Sequence, residues 1–242
     1  MSESVNGIHA DPLGGRLAVV TGGTGGLGRG VVSALRARGT RVVVADVRGF
    51  SPDEGPFAGD RGVEVVAVDL ASEEAVTAFY AGLAARTDAP LWASIHLVGG
   101  FTMGPATGTS AAEVEQMFRL NALTAFLCSR EAIKHMKGGG RIVNVAARPA
   151  LVPTGGMIAY SMAKAAVAAL TTALAAEVVK DGIFVNAVAP SVMDTPANRA
   201  AMPKADHSRW PSVDDVGASI AWLASPANAL TTGLVMPVYG LA

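Results

Sequence analysis

The chain has a single cysteine, Cys128, among its 242 residues. One thiol cannot build a disulfide framework, so a reducing cytoplasm is the expected setting. An excess of charge is also missing, since 19 Lys and Arg stand against 20 Asp and Glu. The resulting net charge of −1, with no dense run of Lys or Arg, argues against nucleic acid or a membrane surface as partner. Apolar stretches are interrupted by Gly, Pro or charge before they reach spanning length, so no membrane segment is expected. Met1 to Pro12 carry acids and lack a basic-then-apolar pattern, so a loose tail is expected there and not a signal peptide. Residues 1–13 read as a flexible tail and 14–242 as one domain, with no linker or repeat to divide it. No metal-ligand set stands out.

What is present points to a layered α/β fold. Half of the residues are hydrophobic and 16% are charged, enough apolar surface to cover both faces of a buried sheet. Short β-branched runs alternate with Ala- and Leu-rich segments, the pattern of parallel strands joined by crossover helices. Strands are predicted at Arg16–Thr21, Arg41–Asp46, Val63–Asp69, Leu91–Val98, Arg141–Ala146, Phe184–Ala189 and Leu234–Val238. Helices are predicted from Gly26 to Arg38, after the Ser72 cap, from the Ser110/Glu113 capping box to Lys137, from Met157 to Lys180, and after Ser212. The expected fold is a single Rossmann-like domain, a doubly wound parallel sheet of about seven strands with helices on both faces. Residues 190–211 hold four prolines without clear periodicity and read as an irregular substrate lid.

Two motifs carry chemistry. Thr21-Gly22-Gly23-Thr24-Gly25-Gly26-Leu27-Gly28 follows the first strand and opens a helix. Gly22 permits the sharp turn, and Gly26 and Gly28 let backbone approach a pyrophosphate at the helix N-terminus. Asp46 ends the second strand about twenty residues later, where a carboxylate accepts from ribose hydroxyls and repels a 2′-phosphate. That favours NAD(H) over NADP(H), a preference that nearby Arg48 would soften. The second motif is Tyr160-Ser161-Met162-Ala163-Lys164. Its Tyr and Lys share one helix face, where an ammonium and an oxidised nicotinamide would bring the tyrosine pKa down from about 10. Tyr160 is then a general acid for reduction, and Lys164 its electrostatic partner.

Together these motifs resemble the short-chain dehydrogenase/reductase family, from about Arg16 onward. The resemblance implies that Lys164 also binds the ribose and that Asn121, in Arg-Leu-Asn-Ala, holds a water for a proton relay. It places Gly22, Thr24, Gly26, Leu27, Gly28, Asp46, Tyr160 and Lys164 against the dinucleotide. Asp69-Leu70 is similar to the family's adenine-contacting dipeptide, although an Asp capping the next turn reads equally well. Val98-Gly99 closes the fourth strand, where the family shows Asn-Asn-Ala-Gly and this chain has His96 and Leu97 for the asparagines. His96 is expected to be structural and satisfied by backbone. Pro190, Val192 and Thr195 resemble the segment that meets the nicotinamide amide.

The family places a serine thirteen residues before the tyrosine, and here that position is Ala147. Losing an oxyanion donor typically costs roughly 10² to 10³ in rate. Gly155 to Ala165, Asp194 to Arg199, Met202 to Asp206 with Trp210, and Gly99-Gly100-Phe101 resemble dihydropteridine reductases. Those members of the family use NADH and lack the serine, but they also lack the helix asparagine present here as Asn121. The leading expectation is therefore NAD(H)-dependent transfer of hydride to a small conjugated substrate, such as a quinonoid dihydropterin. The alternatives are an NAD(H)-linked ketone reductase or alcohol dehydrogenase, and an NAD(H)-binding sensor without turnover. Arg148 is a candidate replacement donor, or else a surface arginine. Phe101, Met103, Leu151, Val152, Met193, Met202, His207 and Trp210 are candidate pocket residues. The resemblance implies a homodimer or homotetramer paired through the two long helices, which are Ala- and Leu-rich with few charges.

Overall fold

In the computed structural model, which describes residues 13–241, seven parallel strands form one sheet in the order β3-β2-β1-β4-β5-β6-β7. The strands are β1 (Leu17–Thr21), β2 (Arg41–Asp46), β3 (Val63–Ala67), β4 (Leu91–His96), β5 (Gly140–Val145), β6 (Ile183–Pro190) and β7 (Val235–Val238). Successive strand residues point to opposite faces, and here both faces are buried. Leu17 and Val19 of β1 pack into one apolar layer, while Ala18 and Val20 pack into the other.

The helices that cover these layers are α1 (Gly26–Arg36), α2 (Glu73–Ala81), α3 (Ala111–Phe118), α4 (Thr124–His135), α5 (Ile158–Val178), α6 (Pro196–Ala201) and α7 (Val213–Leu223). Val31, Leu35, Val216 and Ile220 bring α1 and α7 to one face. Phe79, Tyr80, Leu127, Cys128 and Ala175 bring α2, α4 and α5 to the other. Serine hydroxyls accept from first-turn N–H groups at the starts of α2, α3 and α7, and Ser110 with Glu113 closes the expected capping box.

Several expectations need correction. Leu13 was assigned to the tail but is fully buried in the α1/α7 layer; residues 1–12 lie outside the described residues. Strands β3 and β4 stop two residues early: Val68 and Leu97 donate the last ladder bonds, to the carbonyls of Asp46 and Thr21, and the chain leaves the sheet beyond them. The helix expected to run unbroken to Lys137 is interrupted by a π-turn over Arg119–Leu123, which separates α3 from α4. The lid is not wholly irregular, since Thr195 caps α6 inside it and a 3₁₀ turn covers His207–Arg209. Finally, Ile158–Asp181 is long and apolar enough to cross a membrane. Its inward face packs on the sheet layer through Ala175 and Val178, as a core helix does, and it carries buried Lys164.

Candidate active site

β1 and β4 are neighbours in the sheet although they are not consecutive in sequence, so crossovers leave them in opposite directions. The crevice beyond the carboxyl ends of such strands is where open α/β sheets bind ligands. A cleft of about 250 Å³ opens there, with Leu27, Phe101, Asn121, Ala147, Tyr160, Lys164 and Met193 in its wall. A cavity of about 320 Å³ behind the lid, beside Trp210 and Asp215, lies away from these groups and offers no comparable chemistry.

The glycine-rich turn takes the expected form. Gly22 has a positive φ of 68°, and a Cβ on Gly28 would collide with the Gly22 carbonyl. No side chain caps α1, so its first-turn N–H groups remain for a phosphate. Thr24 Oγ1 donates to Asp46 Oδ2 at 2.6 Å, joining the turn to the end of β2. The Thr195 methyl would lie 3.5 Å from a Cβ on Gly26, which sets the start of α6 directly over the turn. The Val98 side chain packs against Gly22. An uncapped helix start, a glycine cradle and a strand-end carboxylate together fit a dinucleotide. Among the described residues, no group of three or more His, Cys, Asp or Glu is arranged to hold a metal.

Tyr160 and Lys164 lie one turn apart on α5 and both face the cleft. Lys164 is buried, and its Nζ donates to the Val145 carbonyl at 2.7 Å. Burial holds this ammonium down to about 8. Nζ stands 5.9 Å from the Tyr160 ring centroid, and Phe101 meets the same ring edge-on at 5.0 Å. Burial pushes the Tyr160 hydroxyl up to about 12. This differs from the expected depression: here desolvation dominates, and the expected nicotinamide charge is not part of the balance.

Asn121 sits on the π-turn, where its Nδ2 donates to the carbonyls of Met117 at 2.9 Å and Gly100 at 3.1 Å. Its buried Oδ1 has no partner. A Cβ on Gly99, in the segment after β4, would collide with that oxygen, so a side chain there would have to displace the Asn121 amide. The widened turn aims the amide at the cleft, a use to which π-bulges are often put.

The other expected residues divide between the cleft and local structural contacts. Asp69 is exposed and accepts from the Ala71 N–H at 3.0 Å, while the Leu70 side chain is buried beneath α2. Pro190 lines the cleft, Val192 is exposed, and Thr195 Oγ1 accepts from the Asn198 N–H as the α6 cap. Arg148 turns from the cleft to stack on Tyr239, 5.2 Å from its centroid. Of the eight candidate pocket residues only Phe101 and Met193 line the cleft; His207 and Trp210 pack on each other.

His96 is structural, but side chains satisfy it, not backbone. Its Nε2 meets Ser94 Oγ at 2.9 Å, and its Nδ1 meets Asn144 Oδ1 at 2.8 Å. Because Asn144 donates its amide N–H to Thr171, its carbonyl oxygen accepts from His96. Burial lowers the imidazole pKa to about 4, so the ring is neutral. Sequence reasoning missed Leu97, Val145, Ala146 and Ser191 as cleft residues. Their places at strand ends were the available signal.

A sequence model described as short chain dehydrogenase matches residues 16–206. The chain belongs to the short-chain dehydrogenase/reductase family. A short-chain type dehydrogenase/reductase of Picea abies is 31% identical over 94% of this chain and 92% of its own. The cis-4-hydroxycyclohexanecarboxylate dehydrogenase of Sinomonas cyclohexanicum is 32% identical over 93% and 95%. The solved short-chain dehydrogenase/reductase from Serratia marcescens superposes with a TM-score of 0.79, at 26% identity over 95% and 98%. This membership makes the protein an oxidoreductase, of a family that uses NAD(H) or NADP(H), in place of the non-catalytic binder.

Proposed function

We propose that this family member uses NAD(H) to reduce a small conjugated ring substrate of the quinonoid dihydropterin kind, with Tyr160 as proton donor. The carrying observation is Ala147, which is buried in the wall of the cleft that holds Tyr160 and brings no hydroxyl to it. A ketone concentrates developing negative charge on one oxygen and gains most from a second donor. A conjugated ring spreads that charge and needs the donor less. Asp46, at the tip of β2 and bonded to the glycine-rich turn, supports NAD(H) by its fit to ribose hydroxyls.

When bound, a reduced nicotinamide supplies the hydride. The protein supplies the rest. The Tyr160 hydroxyl stays protonated at neutral pH, as a donor must before reaction. Lys164, fixed by the Val145 carbonyl, stabilises the tyrosinate left behind. Phe101 closes one edge of the Tyr160 ring and gives the cleft an aromatic wall suited to a flat substrate. Exposed Phe118, Phe126, Ile158 and Met162 on α3, α4 and α5 support a homodimer or homotetramer through these helices. The lone buried Cys128 supports a reducing cytoplasm.

A second reading, an NAD(H)-linked ketone reductase or alcohol dehydrogenase, is favoured by the unpartnered Asn121 Oδ1, poised to hold a relay water. NADH consumption should be followed with quinonoid dihydropterin and with simple ketones, using Tyr160→Phe as control. The first reading expects fast pterin reduction, weak ketone reduction, and a fall of about 10² to 10⁴ in Tyr160→Phe. Ala147→Ser should raise ketone reduction by about tenfold or more and change pterin reduction little. Ketones turned over faster than the pterin by the unmodified protein would give the second reading the site.

A further inference from the structure

Thr24 and Asp46 are 22 residues apart and meet twice. The Thr24 hydroxyl donates to Asp46 Oδ2 at 2.6 Å, and the Thr24 N–H reaches the same oxygen at 3.4 Å. The other oxygen, Oδ1, accepts from the Val47 N–H at 2.8 Å. Arg29 Nε in turn donates to the Thr24 carbonyl at 3.2 Å, holding that peptide from the side of α1. Each carboxylate oxygen therefore has its own anchor, and the anchor on Oδ2 is itself braced.

A strand-end carboxylate rejects a 2′-phosphate only while it stays in place. One free to rotate about its side-chain torsions can swing into water and relieve the repulsion. Arg48, two residues on, and Arg29 would then offer the phosphate a countercharge. Held at both oxygens, Asp46 has no such escape, while Oδ1, with one donor, keeps a lone pair for a ribose hydroxyl. We propose that Thr24 determines dinucleotide specificity by locking Asp46 against a 2′-phosphate. Thr24 is thus a positioning residue that acts through Asp46. The proposal rests on reading Asp46 as the ribose acceptor.

The test is direct binding of NADH and of NADPH to the full chain, followed by nucleotide fluorescence, for the unmodified protein, Thr24→Val and Thr24→Ser. Valine keeps the shape of threonine without its hydroxyl; serine restores the donor. The unmodified protein should prefer NADH. Thr24→Val should cut the ratio of NADH to NADPH affinity by about tenfold, with NADPH binding tighter than in the unmodified protein. Thr24→Ser should recover most of the preference. An unchanged preference in Thr24→Val would overturn the lock and leave the role of Asp46 standing. Equal affinity of the unmodified protein for both dinucleotides would overturn the lock and the NAD(H) reading together. Equal weakening of both nucleotides in Thr24→Val would reduce Thr24 to a part of the turn and likewise overturn the lock.

Discussion

A buried cation meets each end of β5, Arg141 from the strand itself and Lys164 from α5, and the two are held in opposite ways. At the amino end, Arg141 donates to the carbonyls of Gly140 at 2.8 Å and Asn228 at 2.7 Å. Its guanidinium lies 4.9 Å from the Trp92 centroid and 4.4 Å from that of Phe184, and Arg16 stacks on Trp92 as well. At the carboxyl end, Lys164 meets one carbonyl, that of Val145, and faces the cleft. Burial lowers both pKa values, but from very different starting points. Arginine stays charged at any working pH, and its planar fork suits fixed carbonyls and aromatic faces. The lysine is brought to about 8, within reach of losing its proton. One end of the strand meets a cation locked among carbonyls and rings; the other meets a cation that faces the cleft and whose proton can leave.

Replacing each cation by methionine would break this comparison. Lys164→Met should lower turnover by about 10² to 10⁴ without loss of folded stability, because an uncharged side chain escapes the desolvation penalty. Steady-state rates and thermal melts on the same sample check this.

The pH dependence of stability should sharpen it. Because the folded Lys164 pKa is about 8, below the usual 10.5, the unfolded chain binds more protons between these values. Stability should therefore rise with pH across that window, by at most on the order of 3 kcal/mol from this group. Cys128 acts oppositely above its usual 9, since burial raises its folded pKa to about 12. The difference in denaturant unfolding between the unmodified protein and Lys164→Met isolates the lysine's share. The smallest effect is expected at the amino end. Arg141→Met should cost about 2 kcal/mol through two carbonyls left unpaired, with turnover per folded molecule within about twofold.

Much of this was legible in the chain because it depends on neighbours in sequence. The alternation of β-branched and Ala-rich runs, the glycine-rich turn before α1, the Ser110/Glu113 capping box and the four-residue step from Tyr160 to Lys164 are all local. The errors fell where partners are distant. His96 was expected to bond to backbone, but Asn144, its partner, is 48 residues away on the neighbouring strand. Arg148 was weighed as a donor to the substrate, yet Tyr239 near the end of the chain draws it off. The π-turn at Asn121 leaves no mark in the helical period, because the segment after β4, at Gly99 and Gly100, supplies its acceptor and its constraint.

By itself the sequence determined the layered parallel fold, the kinds of side chain at the carboxyl ends of the strands, and an alanine, Ala147, thirteen residues before Tyr160. Periodicity, capping and short-range spacing act within a few residues, so they can be read along the chain. Only the tertiary structure decided which carbonyl holds Lys164, which hydroxyl holds Asp46, and which side chains leave the cleft for other partners. Those outcomes depend on distance and desolvation between segments that meet only when the sheet has assembled.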